Sequence, residues 1–398
     1  MPVDLLDPSL LSASRGAAVA FREAVKASRL STSDLEVLGR YIRPFPHMST
    51  LAEEFRVAAA DAAAECSVLE ANDVYVHLTV GSAAIFETCS SRQHKLSSLH
   101  VPHPSFSRFL LFEESRRSLL EAYLDLIKDM TGLPPREMLR QSDYRTVFAG
   151  GGSSLPSDAE LQDQWAMAKA SQVGTHAYQI QSLTRMGMAI RALRERPRYV
   201  LLNANLGYFL LGKLPYLPEL LKRYLIHQAM AQETCVLSIA EQHQVPDGEE
   251  LGQWASEHHG LNAYWFLRLP MSDLEEEVPA RLQEKQLPPR LCVSYLFKLH
   301  DASFPMRLDV DRGWWDRYLR DNEEAERRLF AEVAYLSREV RRYGYPYPLY
   351  VAERNTQLSP RNRRTLRDIF QRLAQQEGIT RQALRIAQPE RVDEETLL

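Results

Sequence analysis

The sequence predicts a mixed α/β protein, with a core over residues 71–355, a helical N-terminal region over 1–70 and a basic helical C-terminal region over 356–398. Three observations predict it. Alternating β-branched residues begin just after Asn72, and helical periods alternate with short apolar runs from 176 to 240. Both flanking regions carry helix-start signals without strand patterning. At 398 residues the chain can bury a sizeable core, and 45% hydrophobic with 25% charged residues excludes a largely disordered or collagen-like chain.

Taken in order, Ser31 and Asp34 make a helix N-terminal cap, and residues 50–70, rich in Ala, Glu and Leu, read as helix. Residues 73–79 and 83–89 read as two strands broken by Gly81-Ser82, with a third short strand at 96–101. Over 106–130 the spacing of Phe109, Leu110, Leu119, Leu120, Tyr123, Leu124 and Ile127 predicts one long amphipathic helix. Helices follow at 158–172 and 176–195, then a strand at 199–203, a helix at 216–232, a strand at 234–240 and a helix at 249–258. The last third reads as strands at 263–269, 291–299 and 304–310 and a charged helix over 322–342 stopped by Gly344. Three strands, then helix, strand, helix, strand is a ribonuclease H-like order, one that several other mixed α/β folds share.

Composition and motifs narrow the function. The formal net charge is −4, so nucleic-acid binding has to be carried by a local patch. Cys66, Cys89, Cys235 and Cys292 form no CxxC pair, which argues against a zinc ribbon or disulfide scaffold and for a reducing, cytoplasmic setting. No basic-then-apolar leader and no run of about 18 uncharged apolar residues occurs, so neither secretion nor a membrane span is expected. Gly150, Gly151 and Gly152 lead to Ser153-Ser154-Leu155 with neither a P-loop lysine nor an esterase elbow, and read as a loop. His94, His100, His103 and the adjacent His258-His259 lack HExxH spacing and nearby thiolates, and read as surface residues rather than zinc ligands.

From 338 to 391 twelve arginines face five acids, a local excess in a net negative chain. Ser359-Pro360 reads as an N-cap with proline at the first helical position, and Leu366, Ile369, Phe370 and Leu373 follow as a packing stripe. Arg361, Arg363, Arg364 and Arg367 then stay outside, set to engage phosphates or, in the alternatives, an acidic protein partner or only solvent. Tyr345 and Tyr347 read equally as stacking groups or as core; of Trp314-Trp315, one ring is expected inside and the other at an interface.

The segment Tyr343-Gly344-Tyr345-Pro346-Tyr347-Pro348-Leu349-Tyr350-Val351-Ala352-Glu353 resembles the C-terminal motif of the NurA family, nucleases that work with a hexameric HerA-type DNA translocase in end resection. Val80-Gly81-Ser82 resembles the family's Asp-Gly-Ser on the first strand, and Leu201 to Leu206 resembles its later Leu-Leu-Asp-Gly-Ser-Leu strand. Phe304 to Asp309 resembles a late Pro-x-Arg-x-acid strand. The likeness covers roughly residues 70–370 in order.

The resemblance implies a divalent metal, typically manganese, held by carboxylates from the first strand, a helix and a central strand. Here the matched positions are Val80 and Asn203, and residues 164–194 contain no Asp or Glu. Tyr345 matches the family tyrosine, but Glu353 stands where the family has histidine, and Glu241-Gln242-His243 replaces its lysine or threonine region. No cofactor is therefore expected. The resemblance implies a catalytically degenerate structural or regulatory subunit, with a HerA-type ATPase, DNA and a second copy as partners, in DNA repair or defence. The alternatives are an active manganese nuclease rebuilt from Asp73, Glu87, Asp309 and Glu353, or a stand-alone DNA-binding protein.

Overall fold

The computed structural model describes residues 14–21, 30–47, 53–71, 74–89, 96–98, 105–113, 116–149, 170–204, 206, 216–241, 245, 248–260, 264–280, 282, 291–300 and 304–380. Its strands are β1 (Ile42–Pro44), β2 (Arg56–Ala71), β3 (Val74–Thr88), β4 (Leu96–Ser98), β5 (Ser105–Glu113), β6 (Tyr199–Leu202), β7 (Cys235–Ala240), β8 (Trp265–Arg268), β9 (Cys292–Lys298) and β10 (Met306–Asp311). The helices are α1 (Thr32–Gly39), α2 (Arg116–Thr131), α3 (Pro135–Arg140), α4 (Tyr144–Ala149), α5 (Val173–Ala192), α6 (Tyr216–Ala231) and α7 (Gly248–His259). After β10 come α8 (Arg312–Tyr318), α9 (Glu323–Leu336), α10 (Tyr347–Thr356) and α11 (Pro360–Gln376).

All ten strands join one sheet in the order β1-β8-β9-β10-β7-β6-β2-β3-β4, with β5 sharing the outer edge of β3. Strands β2, β3 and β5 are antiparallel in chain order; β6 then adds in parallel to the free side of β2, and β7 in parallel to β6. That is a ribonuclease H-like core with helical additions, as the order of elements predicts. Beyond β7 the antiparallel strands β10, β9, β8 and β1 widen the sheet.

The central strands are buried on both faces and read as unbroken apolar runs for that reason. On β6, Tyr199 and Leu201 join a core under α9 and α10, while Val200 and Leu202 join a second core under α2, α5 and α6. The first core centres on Phe330, whose ring stacks on Phe266 at 4.4 Å. A third group around Trp265, Leu38 and Leu251 packs α1 and α7 at the far end of the sheet.

Several elements differ from their sequence reading. Residues 56–71, expected as helix, form β2, the first core strand, so the core begins before the boundary expected at residue 70. Val57, Ala58, Ala59 and Ala60 are all fully buried because α5 covers one face of β2 and α10 the other. Small side chains let both helices approach, and this burial overrides the helix propensity of alanine. The two strands expected around Gly81-Ser82 are one strand, β3, running through them in register with Ala62 and Asp61. Gly81 is there for space: a Cβ would stand 2.6 Å from Met188 Cγ and 2.8 Å from Thr184 Cγ2 on α5.

The long helix expected over 106–130 is a strand followed by the helix α2. Leu110 and Phe112 are buried while Phe109 and Leu111 are exposed, a period of two that the apolar content masks. The charged helix ends at Leu336 rather than at Gly344; that glycine, at φ 87°, turns the chain back so that its N–H donates to the Ser337 carbonyl. Strand β4 and the helices at 176–195, 216–232 and 249–258 stand where expected within a few residues, as does the Ser31 capping box. Residues 158–169 of the helix expected at 158–172, the Gly150–Gly152 loop, His94, His100, His103 and Asp73 lie outside the described residues, as do the side chains of His258 and His259; residues 170–172 are turn and loop rather than helix. Among the described residues no helix is long and apolar enough to cross a membrane.

Candidate functional site

The parallel pair β2–β6 brings two strand ends side by side. Leu202, the last residue of β6, pairs with Ala60, so Asp61 and Asn203 continue past the last paired rung on adjacent strands. Helix α5 covers one face here and α10 the other. Their side chains converge on Asp61.

Asp61 Oδ1 lies 2.8 Å from Arg185 Nε of α5, and Oδ2 accepts from Thr356 Oγ1 of α10 at 3.1 Å. The two side chains are 10% and 14% exposed, so this ion pair is largely removed from water and from salt screening. Two more ties fasten α5 alongside it: Gln181 Nε2 donates to the Ala62 carbonyl at 2.8 Å, and the Thr184 and Thr79 hydroxyls share a hydrogen bond of 2.8 Å.

Glu353 lies one turn before Thr356 on α10. Its Oε1 accepts from Asn203 Nδ2 at 3.1 Å and from the Tyr345 hydroxyl at 2.6 Å. Burial pushes the Glu353 carboxyl above its ordinary value; the donors oppose that and the nearby Asp61 charge adds to it. The Tyr345 hydroxyl is held well above the ordinary tyrosine value, by burial first and then by Glu353. Tyr345 is 3% exposed and Tyr347 8%, which makes both core residues and removes the stacking alternative. Arg342 lies over the Tyr345 ring at 5.6 Å and pairs with Glu241.

Asn203, Tyr345 and Glu353, singled out in the sequence, thus meet in one hydrogen-bonded group. Val80 does not belong to it. It lies on β3, the second core strand, opposite Ala63, and packs with Leu358, Leu366 and Phe370 around Leu78. The first-strand acid is Asp61, which sequence reasoning missed; the signal was a lone carboxylate inside the run Val57 to Ala64.

Of the carboxylates offered for a rebuilt site, Glu353 lies in this group, whereas Glu87 and Asp309 stand apart. Glu87 pairs with Arg56 at 3.4 Å, five residues along β3 from Ser82, the partner of Asp61, or ~17 Å away. Asp309 lies on β10, separated from β2 by β7 and β6, or ~14 Å across the sheet. It is fully buried, accepting from Ser294 Oγ at 2.7 Å and pairing with Arg307 at 3.1 Å.

A divalent cation does not fit this arrangement. Hard cations need several charged or carbonyl oxygens. Here the Arg185 guanidinium holds one oxygen of Asp61, the Thr356 hydroxyl, its one proton shared with the Glu353 carbonyl, lies against the other, two donors engage Glu353 Oε1, and burial favours the neutral form of that carboxyl. Among the described residues no group of three or more His, Cys, Asp or Glu comes together as a metal-holding cluster.

The basic helix starts beside this group. Asn355, next to Thr356, donates to Ser82 Oγ at 3.3 Å, and four residues later Ser359 caps α11 by accepting from Asn362 N. Arg361, Arg363 and Arg364 are exposed; Arg367 is half-buried rather than outside. Arg363 Nε donates to the Leu358 carbonyl at 3.0 Å. Leu366 and Phe370 pack on Leu78 and Val80, whereas Ile369 and Leu373 of the expected packing stripe remain exposed. Of the adjacent tryptophans, Trp315 is buried and Trp314 rests on Tyr318 with ring centroids 4.2 Å apart. At the opposite end of the sheet a cavity of about 490 Å³ is lined by Tyr41, Arg268, Trp315 and Glu326, none of them a predicted site residue.

No family model matches the chain, and no curated protein matches its sequence. Among solved structures it is similar to the NurA nuclease from Sulfolobus solfataricus, at 11% identity and a TM-score of 0.45, over 91% of this chain and 95% of that one. It is also similar to NurA crystallised with manganese, at 11% identity and a TM-score of 0.38 over 89% and 96% of the two chains. NurA bound to dAMP and manganese follows at 10% identity and a TM-score of 0.37 over 89% and 94%.

Proposed function

We propose that this chain is a NurA-like DNA-handling protein that binds DNA without metal-dependent cleavage, serving as a structural or regulatory subunit. The observation that carries the reading is the state of Asp61. The first-strand carboxylate is ion-paired with Arg185, and neither α5 nor the end of β6 supplies another acid beside it. Without charge-neutralising metal at the scissile phosphate, the paired Asp61 neither activates water nor stabilises a pentacovalent phosphorus.

DNA contact rests on the arginines that open α11 beside this group. Arg361, Arg363 and Arg364 present guanidinium groups to solvent, where counterion release on binding a phosphate backbone supplies affinity. A positive cluster at a helix N-terminus opposes the helix macrodipole, which favours an external anion. The sequence resemblance adds the partners: a HerA-type hexameric ATPase and a second copy of the chain, acting in DNA repair or defence.

The test is digestion of end-labelled single- and double-stranded DNA with manganese, alone and with a HerA-type ATPase, beside binding assays on the same substrates. The expected result is retained DNA binding with no cleavage. Cleavage that Asp61→Asn or Glu353→Gln abolishes would overturn the reading.

A further inference from the structure

The cation that neutralises Asp61 is part of the polypeptide. Arg185 is fixed charge on a planar fork that proteins do not deprotonate, and its Nε sits 2.8 Å from the carboxylate in a largely dry contact. A divalent ion bound to the same carboxylate would face that guanidinium at only a few ångströms, a like-charge contact that low local dielectric makes severe. The pair also spans three elements. Arg185 belongs to α5, Asp61 to β2, and Thr356, on the other carboxylate oxygen, to α10.

From this we infer that Arg185 is a built-in replacement for a metal ion, compensating Asp61 and clamping α5 and α10 onto β2, and that the surrounding group holds a latent divalent-cation site which a single substitution on α5 opens. The inference rests on the non-cleaving reading above and explains it. Arg185→Glu removes the competing cation and supplies a helix carboxylate next to Asp61. Glu353, close enough for the Asp61 charge to act on its carboxyl, is the further oxygen donor on the α10 side, of the kind hard cations require.

The test is a manganese titration followed by electron paramagnetic resonance, with thermal melts in manganese and in chelator, on the full chain. The wild type is expected to leave the free-manganese signal unchanged up to roughly 1 mM, the weak end of protein cation sites, and to melt at the same temperature in both media. Arg185→Glu is expected to take up manganese and to melt higher with it, and adding Asp61→Asn is expected to abolish both effects. Arg185→Met, which leaves Asp61 uncompensated, is expected to melt lower than wild type by roughly 5 °C or more.

Asp61-dependent manganese uptake by the wild type would overturn the inference. So would a folded Arg185→Glu variant that ignores manganese, or an Arg185→Met variant that melts with the wild type. If Arg185→Glu does not fold, the wild-type titration and the Arg185→Met melt decide the question. A wild type that ignores manganese yet cuts DNA would sink the non-cleaving reading and leave Arg185 as the resident cation.

Discussion

Asn203 Nδ2 donates to Glu353 Oε1 at 3.1 Å, so an amide at the end of a central strand and an acid on a late helix form one hydrogen-bonded unit. The Tyr345 hydroxyl donates to the same oxygen, so two uncharged donors share Glu353 Oε1. Five predictions follow from such local arrangements.

Replacing the amide by an acid sets two carboxylates at hydrogen-bond distance. Asn203→Asp is expected to destabilise the fold by roughly 2 kcal/mol at neutral pH, through a lost donor and like-charge repulsion. The deficit shrinks as pH falls towards 4 and the pair takes up a proton. Thermal melts across that range check it, and an unchanged melting temperature at pH 7 would refute it.

Burial raises the Glu353 carboxyl, so the folded chain holds this proton more tightly than the unfolded one. The resulting stability is fully present below the ordinary glutamate value and is lost as pH rises through the folded value. Glu353→Gln, neutral at all pH and still an acceptor for both donors, is expected to match the wild type near pH 4 and to exceed it by about 0.5–1 kcal/mol at pH 8. Equal unfolding midpoints at pH 8 would count against this.

His77 is fully buried against Phe112 and His176, and among the described residues neither ring nitrogen finds a hydrogen-bond partner. Burial, with the adjacent His176, lowers it to about 3 from 6.5. The unfolded chain therefore binds the proton first, and stability present above pH 6.5 is lost as pH falls towards 3, by up to about 1.4 kcal/mol per pH unit. His77→Phe is expected to be at least as stable as wild type at pH 7.5 and to flatten the fall in melting temperature between pH 6.5 and 5. A profile as steep as the wild type's would reject the assignment to His77.

A Cβ at position 81 collides with Met188 and Thr184. Gly81→Ala is expected to cost about 1–3 kcal/mol by overpacking β3 against α5. Because Met188 is the nearest obstacle, Gly81→Ala and Met188→Ala should couple favourably in a double-mutant cycle. Strict additivity in denaturant melts would show that α5 moves away instead.

On DNA, changing Arg361, Arg363, Arg364 and Arg367 together to Ala is expected to weaken binding and to reduce the slope of log affinity against log salt. The reduction is up to about 3.6 for duplex if all four engage phosphates. Arg367, being half-buried, is expected to contribute least. Unaltered affinity and slope would move the DNA contact elsewhere or favour a protein partner for this face.

Alternation was readable where burial followed a simple period and unreadable where it did not. Strands β6 and β7 stood out as short apolar runs between periodic helices, and Ser359 with Pro360 marked the start of α11. Strand β2 was hidden because the two helices packed on it demand alanine, the residue with the strongest helix preference. That one misreading displaced the first core strand by a hairpin and hid Asp61, which lies on β2, behind Val80 on β3. In β5 the exposed Phe109 and Leu111 filled the polar positions of the alternation with apolar residues.

By itself the sequence determined the local properties of this protein: the basic excess after residue 338, an acid-free stretch across α5, an amide rather than an acid after β6, and Tyr345 eight residues before Glu353. These depend only on which residues are neighbours along the chain. Tertiary structure alone decided what those residues meet. Asp61 finds Arg185 across 124 positions and Thr356 across 295, and Asn203 finds Glu353 across 150. Such contacts arise because a twisted sheet brings the ends of β2 and β6 together and two helices close over them from opposite faces. A carboxylate that composition leaves free to bind metal is thereby given, at the moment of packing, a guanidinium from its own chain.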